Sequence, residues 1–295
     1  MMQVRIRHDS DLLANHVVYG RGLFPAVGYL GLVTDALVAS RNDGQVPFPV
    51  RFSAAKWLAP LWAPPGDTEL KVTLEEPGTG GVYRIDAVER GQRVPYASGV
   101  VDTAGVATSA TPDLPGDRAS VDDCPDRYAR SDIYRMFEAL GLNYTGIFDS
   151  LETMRVGPNG AGAHVAVRQA TGHPILEPGP LDAAIQAVLL HVHLQREPHR
   201  LYVPFSLEEL ICYGPVPTDC EIWLRAAEGG GDGQSYRYHV TLLKADGQRV
   251  AEMRDLCVAA FPEPDRRDVA AAAGKESWAV AATFTAEPLE APLQF

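Results

Sequence analysis

The sequence predicts an α+β protein built from a duplicated unit, each copy holding one long helix and about five antiparallel strands. Three observations lead there. Two apolar stretches at helical spacing each open on a proline, Pro25 and Pro180, where a missing N–H costs nothing. The word Gly-Gln-Arg-Val occurs twice, starting at Gly91 and at Gly247, each time between strand-like runs. The interval between the prolines and the interval between the words agree to one residue, as duplication requires.

In chain order, residues 1–15 read as a first strand and a polar turn leading to His16, in a Gly-flanked loop. Pro25 opens a helix from Ala26 to Ala39, with Val27, Leu30, Val33 or Thr34, and Leu37 on one face. Asn42-Asp43-Gly44 is a turn, and Phe48 to Phe52 is extended. Glu69 to Glu75 alternates strictly, as a half-buried strand does; Pro77 to Gly81 is a hairpin loop, and Tyr83 to Val88 returns. Gly91-Gln92-Arg93-Val94 turns into another strand through Val100-Val101-Asp102. Residues 103–127, rich in Ala, Thr, Ser, Pro and Asp, make the best linker. Ser131 to Leu140 is a short amphipathic helix, and Leu142 to Phe148 turns into a strand through Leu151 and Met154. Pro178-Gly179-Pro180 opens the second long helix, where Leu181, Ala184, Ile185, Val188, Leu189 and Val192 follow the 3.6 period. Cys220 to Ala226, Tyr236 to Leu243 and Arg249 to Ala259 read as strands. The expected division is an N-terminal unit over 1–110, a linker over 111–127, a C-terminal unit over 128–262 and a loosely held tail or linker over 263–295.

Composition narrows the function. Hydrophobic content of 46% with 22% charged residues is that of a globular protein. A net charge of −12 argues against a nucleic-acid partner, which would call for a basic stripe. The sequence has no apolar run of about 18 residues to span a membrane, and Met-Met-Gln-Val-Arg-Ile-Arg-His has no apolar signal core. Cys124, Cys212, Cys220 and Cys257 form no Cys-x-x-Cys pair. They read as buried thiols of a reducing compartment, the cytoplasm, with a Cys212–Cys220 disulfide as the other reading. The Gly-rich stretches at 77–81 and 228–233 precede no helix, so they are hairpin tips rather than phosphate cradles. His191 and His193, two apart on a helix, point to different faces and make a poor metal site.

Two positions carry chemistry. His16 sits just upstream of a buried helix, which suits a general base, and equally a histidine that only hydrogen-bonds its loop. Asp182 lies in the first turn of the second helix with Gln186 four residues on, on the same face. That aspartate could simply complement the helix dipole, or, buried between Leu181 and Ala183, hold a proton as an acid. No Ser or Cys nucleophile motif is present.

Four ordered motifs then make the chain similar to a known family. His16, Gly20 and Pro25 match a histidine, three residues, a glycine, four residues and a proline; Asp182 and Gln186 match an aspartate with glutamine or histidine four residues on. Tyr144-Thr145-Gly146-Ile147-Phe148 matches in part a Tyr-Gly-Pro-x-Phe motif, and Val203-Pro204-Phe205-Ser206 matches a Leu-Pro-Phe-Ser strand opening. Over about residues 3–262 the sequence resembles the dehydratase domains of polyketide synthases and related fatty acid synthases.

The resemblance implies a double hotdog, two fused units each wrapping an antiparallel sheet around its long helix. It implies dehydration of a β-hydroxyacyl thioester carried on the phosphopantetheine arm of an acyl carrier protein, with no further cofactor and no metal. His16 would take the α-proton and Asp182 would protonate the departing hydroxyl. Gln186 would orient Asp182, Tyr144 would lie near the substrate or support the acid, and N–H groups near Gly20 or at the first helix start would face the thioester oxygen. Partners would be the carrier protein, the small-molecule acyl thioester and other synthase domains, with a homodimer also open.

Departures bear on substrate choice. Glu177-Pro178 stands where the family often has His-Pro, with His173-Pro174 further upstream, and Thr145-Gly146 replaces Gly-Pro. They leave open cyclisation or double-bond isomerisation by the same pair; a non-catalytic acyl or carrier-binding module is a third reading, against which the retained His16 and Asp182 argue. Arg196, His199 and Arg200 read as a solvated loop or as a carrier docking patch. The alanine-rich end leans toward a piece cut from a larger synthase.

Overall fold

The computed structural model describes residues 1–42, 44–45, 48–64, 66–76, 80–89, 91–103, 124–173, 175–197 and 200–261. The N-terminal half runs β1 (Met2–Ile6), α1 (Asp11–Ala14), β2 (His16–Val18), β3 (Arg21–Gly22), α2 (Ala26–Ser40), β4 (Val50–Trp57), β5 (Thr68–Glu76), β6 (Gly80–Glu89) and β7 (Gln92–Asp102). The C-terminal half runs β8 (Asp126–Ala129), α3 (Arg130–Ala139), β9 (Leu142–Tyr144), a 3-10 turn (Gly146–Phe148), β10 (Leu151–Val156) and β11 (Gly160–Ala166). It continues through α4 (Pro178–Gln195), β12 (Tyr202–Cys212), β13 (Asp219–Gly231), β14 (Ser235–Leu243) and β15 (Arg249–Ala260).

Among the described residues, twelve strands form one sheet in the order β1-β5-β6-β7-β4-β12-β15-β14-β13-β11-β10-β8. The seam is β4 against β12, antiparallel from Ser206↔Lys56 to Cys212↔Val50. Outward from it the halves repeat one pattern: β4, β7, β6, β5, β1 on one side and β12, β15, β14, β13, β11 on the other. In each, the strand that follows the long helix lies at the seam. Gly91 and Gly247, the two starts of the repeated word, take φ of 80° and 84° at equivalent hairpins, β6–β7 and β14–β15. Glycine at both satisfies a left-handed turn that other residues enter at a cost.

The sheet wraps the two helices, which accounts for their composition. α2 buries ten of its residues and α4 buries every residue from Pro178 to Val192. A helix enclosed on all sides is apolar all round. This widens the single apolar face expected for the first helix. This is the double-hotdog architecture.

Three expectations need correction. His16 opens strand β2 rather than sitting in a loop, because a strand from the other half, β9, pairs with it. Asp182 is the fifth residue of α4, past the first turn, because the helix already starts at Pro178. The end of the expected linker is not linker: Asp126 and Arg127 belong to β8, which pairs with β10. Linker residues 111–123 and the expected tail from residue 263 lie outside the described residues. Among the described residues all four cysteines are buried and none is in a disulfide, so Cys212 and Cys220 are not paired. No helix among the described residues is long and apolar enough to cross a membrane.

Candidate active site

The spacing from His16 to Pro25 is a device for holding an imidazole. β2 turns at Tyr19 and Gly20, with φ of 48° and 76°, and returns as β3. Two successive positive φ values make the tight hairpin that matches strand twist, and glycine suits its second place. The return brings Leu23 beside His16: Leu23 N–H donates to the His16 carbonyl at 2.9 Å, and His16 Nδ1–H donates to the Leu23 carbonyl at 2.8 Å. A carbonyl only accepts, so Nδ1 carries a proton, and in the neutral tautomer the lone pair is the one on Nε2. Pro25 then caps α2 in extended conformation, its carbonyl accepting from Gly28 N–H at 2.9 Å.

A three-stranded ribbon, β3-β2-β9, ties this device to the other half. His16 lies directly opposite Tyr144, Val17 opposite Asn143 and Val18 opposite Leu142. Beyond the ribbon, Thr145 N–H donates to the Asn15 carbonyl at 3.0 Å and Thr145 Oγ1 to Asn15 Oδ1 at 2.8 Å. Gly146, at φ 55°, lets the Asn15 carboxamide approach; a Cβ there would stand 2.7 Å from Asn15 Nδ2. The Thr145-Gly146 departure from the family motif is thus accommodated by contact with the residue before His16. The imidazole rests edge-on between Tyr144 and Phe148, with ring centroids at 5.2 and 5.4 Å.

Asp182 faces the imidazole from α4, with Oδ1 4.0 Å from His16 Nε2. The two residues are 8% and 3% exposed. Burial pushes the Asp182 carboxyl above its ordinary range, against the opposing pull of His16 and the hydrogen bond from Gln186. One turn along, Gln186 Nε2 donates to Asp182 Oδ2 at 2.8 Å and to the Phe148 carbonyl at 2.9 Å. Burial, then the nearby Asp182 carboxylate, raises the Tyr144 phenol well above its usual value, so it stays protonated.

The structure therefore gathers His16, Tyr144, Asp182 and Gln186 at one place. Gly20 and Pro25 act on the backbone that positions His16. Sequence reasoning missed Tyr134 of α3. Its hydroxyl accepts from Ser150 N–H at 2.8 Å and Leu151 N–H at 2.9 Å, and lies 3.3 Å from Gln186 Oε1. The signal was a polar-tipped aromatic three residues before the buried Phe137 on an amphipathic helix.

Other expected sites resolve into scaffold. Glu177 is buried, and its carboxylate accepts from Thr171 N–H, Thr171 Oγ1 and Gly172 N–H at 2.9, 3.1 and 3.1 Å. His173 accepts two backbone N–H bonds at Nδ1, from Ile175 and Leu176, and its Nε2 lies 3.1 Å from Asp35 of α2. His191 is wholly buried, accepting from Tyr238 at 2.8 Å and donating to the Gly157 carbonyl at 2.9 Å. Among the described residues no three His, Cys, Asp or Glu side chains could hold a metal. Arg196 and Arg200 donate to the carbonyls of Pro158 and Gly233 at 3.4 and 3.1 Å, while His199 lies outside the described residues.

Comparison with known proteins agrees with this geometry. The sequence profile described as "Polyketide synthase dehydratase domain" matches residues 2–89, and that described as "Polyketide synthase dehydratase N-terminal domain" matches residues 112–268. The polyketide synthase ThaG of Burkholderia thailandensis is 28% identical over 228 residues, covering 75% of this chain and 4% of that protein. The chain thus spans a small fraction of that relative's length. Among solved structures, a trans-AT PKS dehydratase domain from Brevibacillus brevis has a TM-score of 0.77 at 21% identity, covering 88% of this chain and 93% of its own. The dehydratase domain from the CurF module of Curacin polyketide synthase has a TM-score of 0.75 at 21% identity, covering 88% and 92%. The two profile matches span both halves of the fold and include every residue of the His16–Asp182 site, so the chain belongs to the polyketide synthase dehydratase family.

Proposed function

We propose that this chain removes water from a β-hydroxyacyl thioester, with His16 as base and Asp182 as acid. The observation that carries the reading is an imidazole tied at Nδ1 to the Leu23 carbonyl, whose Nε2 faces a buried carboxyl oxygen at 4.0 Å. The pair is too far apart for a mutual hydrogen bond, so each group is available to a substrate atom.

The steps balance as follows. His16 Nε2 takes the α-proton, and the C–H electron pair forms the Cα=Cβ bond as the Cβ–O bond breaks. The leaving hydroxyl takes the Asp182 proton and departs as water. Gln186 Nε2 already occupies Oδ2, which assigns that proton to Oδ1, the oxygen facing His16. The step leaves an imidazolium beside a carboxylate; the proton then returns from Nε2 to Oδ1 and restores the starting state. Desolvation favours the protonated acid, and the Leu23 carbonyl favours the imidazolium by accepting from Nδ1–H.

The substrate would arrive on the phosphopantetheine arm of an acyl carrier protein, with neighbouring synthase domains as further partners and the cytoplasm as the compartment. Cyclisation or double-bond isomerisation by the same pair is a weaker reading. The departures that favour it, Glu177 and Thr145-Gly146, are occupied with loop 171–172 and with Asn15. A purely binding module would have no use for a desolvated acid opposite a free imidazole nitrogen.

The test is mass spectrometry of a carrier-bound β-hydroxyacyl thioester, with an enoyl standard to separate open-chain product from ring. Wild type should release one water and His16→Ala none. Full conversion by a folded His16→Ala protein would sink the assignment.

A further inference from the structure

We infer that Tyr134 is a positioning residue for the acid, acting through Gln186 to fix where the Asp182 proton resides; the inference rests on the dehydration reading above. The chain of contacts starts at backbone. Ser150 N–H and Leu151 N–H both donate to the Tyr134 oxygen, at 2.8 and 2.9 Å. With both lone pairs used, the phenol can only donate onward. Its proton faces Gln186 Oε1 at 3.3 Å and the Phe148 carbonyl at 3.2 Å. The phenol keeps that proton, because burial holds its pKa at about 12.

This settles the orientation of the Gln186 amide. Gln186 is 0% exposed, and among the described residues Tyr134 is the one donor to its Oε1. Turned over, Oε1 would face Asp182 Oδ2 and the Phe148 carbonyl, two acceptors, and the NH2 group would face a donor. Tyr134 and the Phe148 carbonyl together therefore select the rotamer in which Nε2 donates to Asp182 Oδ2. Arg130 holds Tyr134 in turn: its guanidinium lies over the phenol ring at 5.5 Å and pairs with Asp149, next to Phe148.

Without the phenol hydroxyl, Gln186 Oε1 loses its donor, the amide is held by the Phe148 carbonyl alone, and the hydrogen bond to Asp182 that favours its anion weakens. The carboxyl should then titrate at higher pH. A side chain that merely supports the fold would change stability and leave that titration in place.

The experiment is a 13C NMR titration of aspartate-labelled full chain, the Asp182 carboxyl assigned by its loss in Asp182→Asn. In Tyr134→Phe the midpoint should move up, in the direction shown by Gln186→Ala, and the double variant should move no further than Gln186→Ala alone. The alkaline limb of the kcat profile should move with it, kcat falling about ten-fold with KM within about two-fold. An unmoved midpoint in Tyr134→Phe, or shifts that add in the double variant, overturns the inference. Should Tyr134→Phe fail to fold, 3-fluorotyrosine at 134 keeps the hydroxyl as a stronger donor; the midpoint should move down, and no movement overturns the inference equally. The NMR readout needs no turnover. A shifted midpoint without enoyl product refutes dehydration alone, and enoyl product with a fixed midpoint refutes the positioning role alone.

Discussion

His16 Nε2 and Asp182 Oδ1 stand 4.0 Å apart, on side chains delivered by opposite halves of the duplicated fold. Neither half holds the pair. The β3-β2-β9 ribbon brings the imidazole across to the half that carries Asp182.

On the proposed mechanism His16 and Asp182 serve one elimination, so their losses should not add. His16→Ala and Asp182→Ala should each lower single-turnover dehydration by about 10³-fold, and the double variant should be little worse than either. Independent, multiplying losses would mean the two groups act in separate steps.

The acid should cost the fold stability. Asp182 binds its proton more tightly in the native state than in the unfolded chain, because burial raises its pKa. Its contribution is complete below the ordinary carboxylate range and is lost as pH rises through the raised native value. Asp182→Asn should therefore be inactive yet more stable at neutral pH, by about 1 kcal/mol or a few degrees, with the gain vanishing in acid. Thermal melts of both proteins from pH 3 to pH 8 check this; a gain that grows in acid contradicts it.

His191 should set acid sensitivity. Burial lowers its pKa to about 4, outweighing the Gly157 carbonyl, which favours the charged ring, and the Tyr238 hydroxyl donates to the lone pair that only the neutral ring offers at Nδ1. Its contribution is intact above the unfolded value near 6.5 and is lost as pH falls through 6.5 towards 4, roughly 3 kcal/mol in all. Urea midpoints should fall across that window, and His191→Gln should flatten the fall. An equally steep fall in the variant would place the acid sensitivity elsewhere.

Gly146→Ala tests the clamp on Asn15. A Cβ there meets the Asn15 carboxamide at 2.7 Å, on a backbone with φ of 55°. Strain and displacement together should cost about 1–2 kcal/mol. Since Asn15 precedes His16, kcat should fall as well. Urea unfolding and kcat on the same preparation report both, and wild-type values for each would show the contact to be idle.

Much of this protein was decided by short-range sequence. Pro25 and Gly20 stand where a helix start and a tight hairpin need them, Gln186 reaches Asp182 because four residues make a helical turn, and the repeated Gly-Gln-Arg-Val marks equivalent hairpins. These features depend on neighbours a few residues away, so spacing alone reveals them. The tertiary structure decided the rest. It paired β2 with β9, set Asn15 against Thr145 from 130 positions away, and placed Tyr134 on Gln186 from 52 positions away. It also decided that Asp182 is desolvated and lies past the first helical turn, the setting the proposed acid needs and a dipole partner does not. Desolvation and juxtaposition are sums over atoms from distant segments, and no local pattern in the chain contains them.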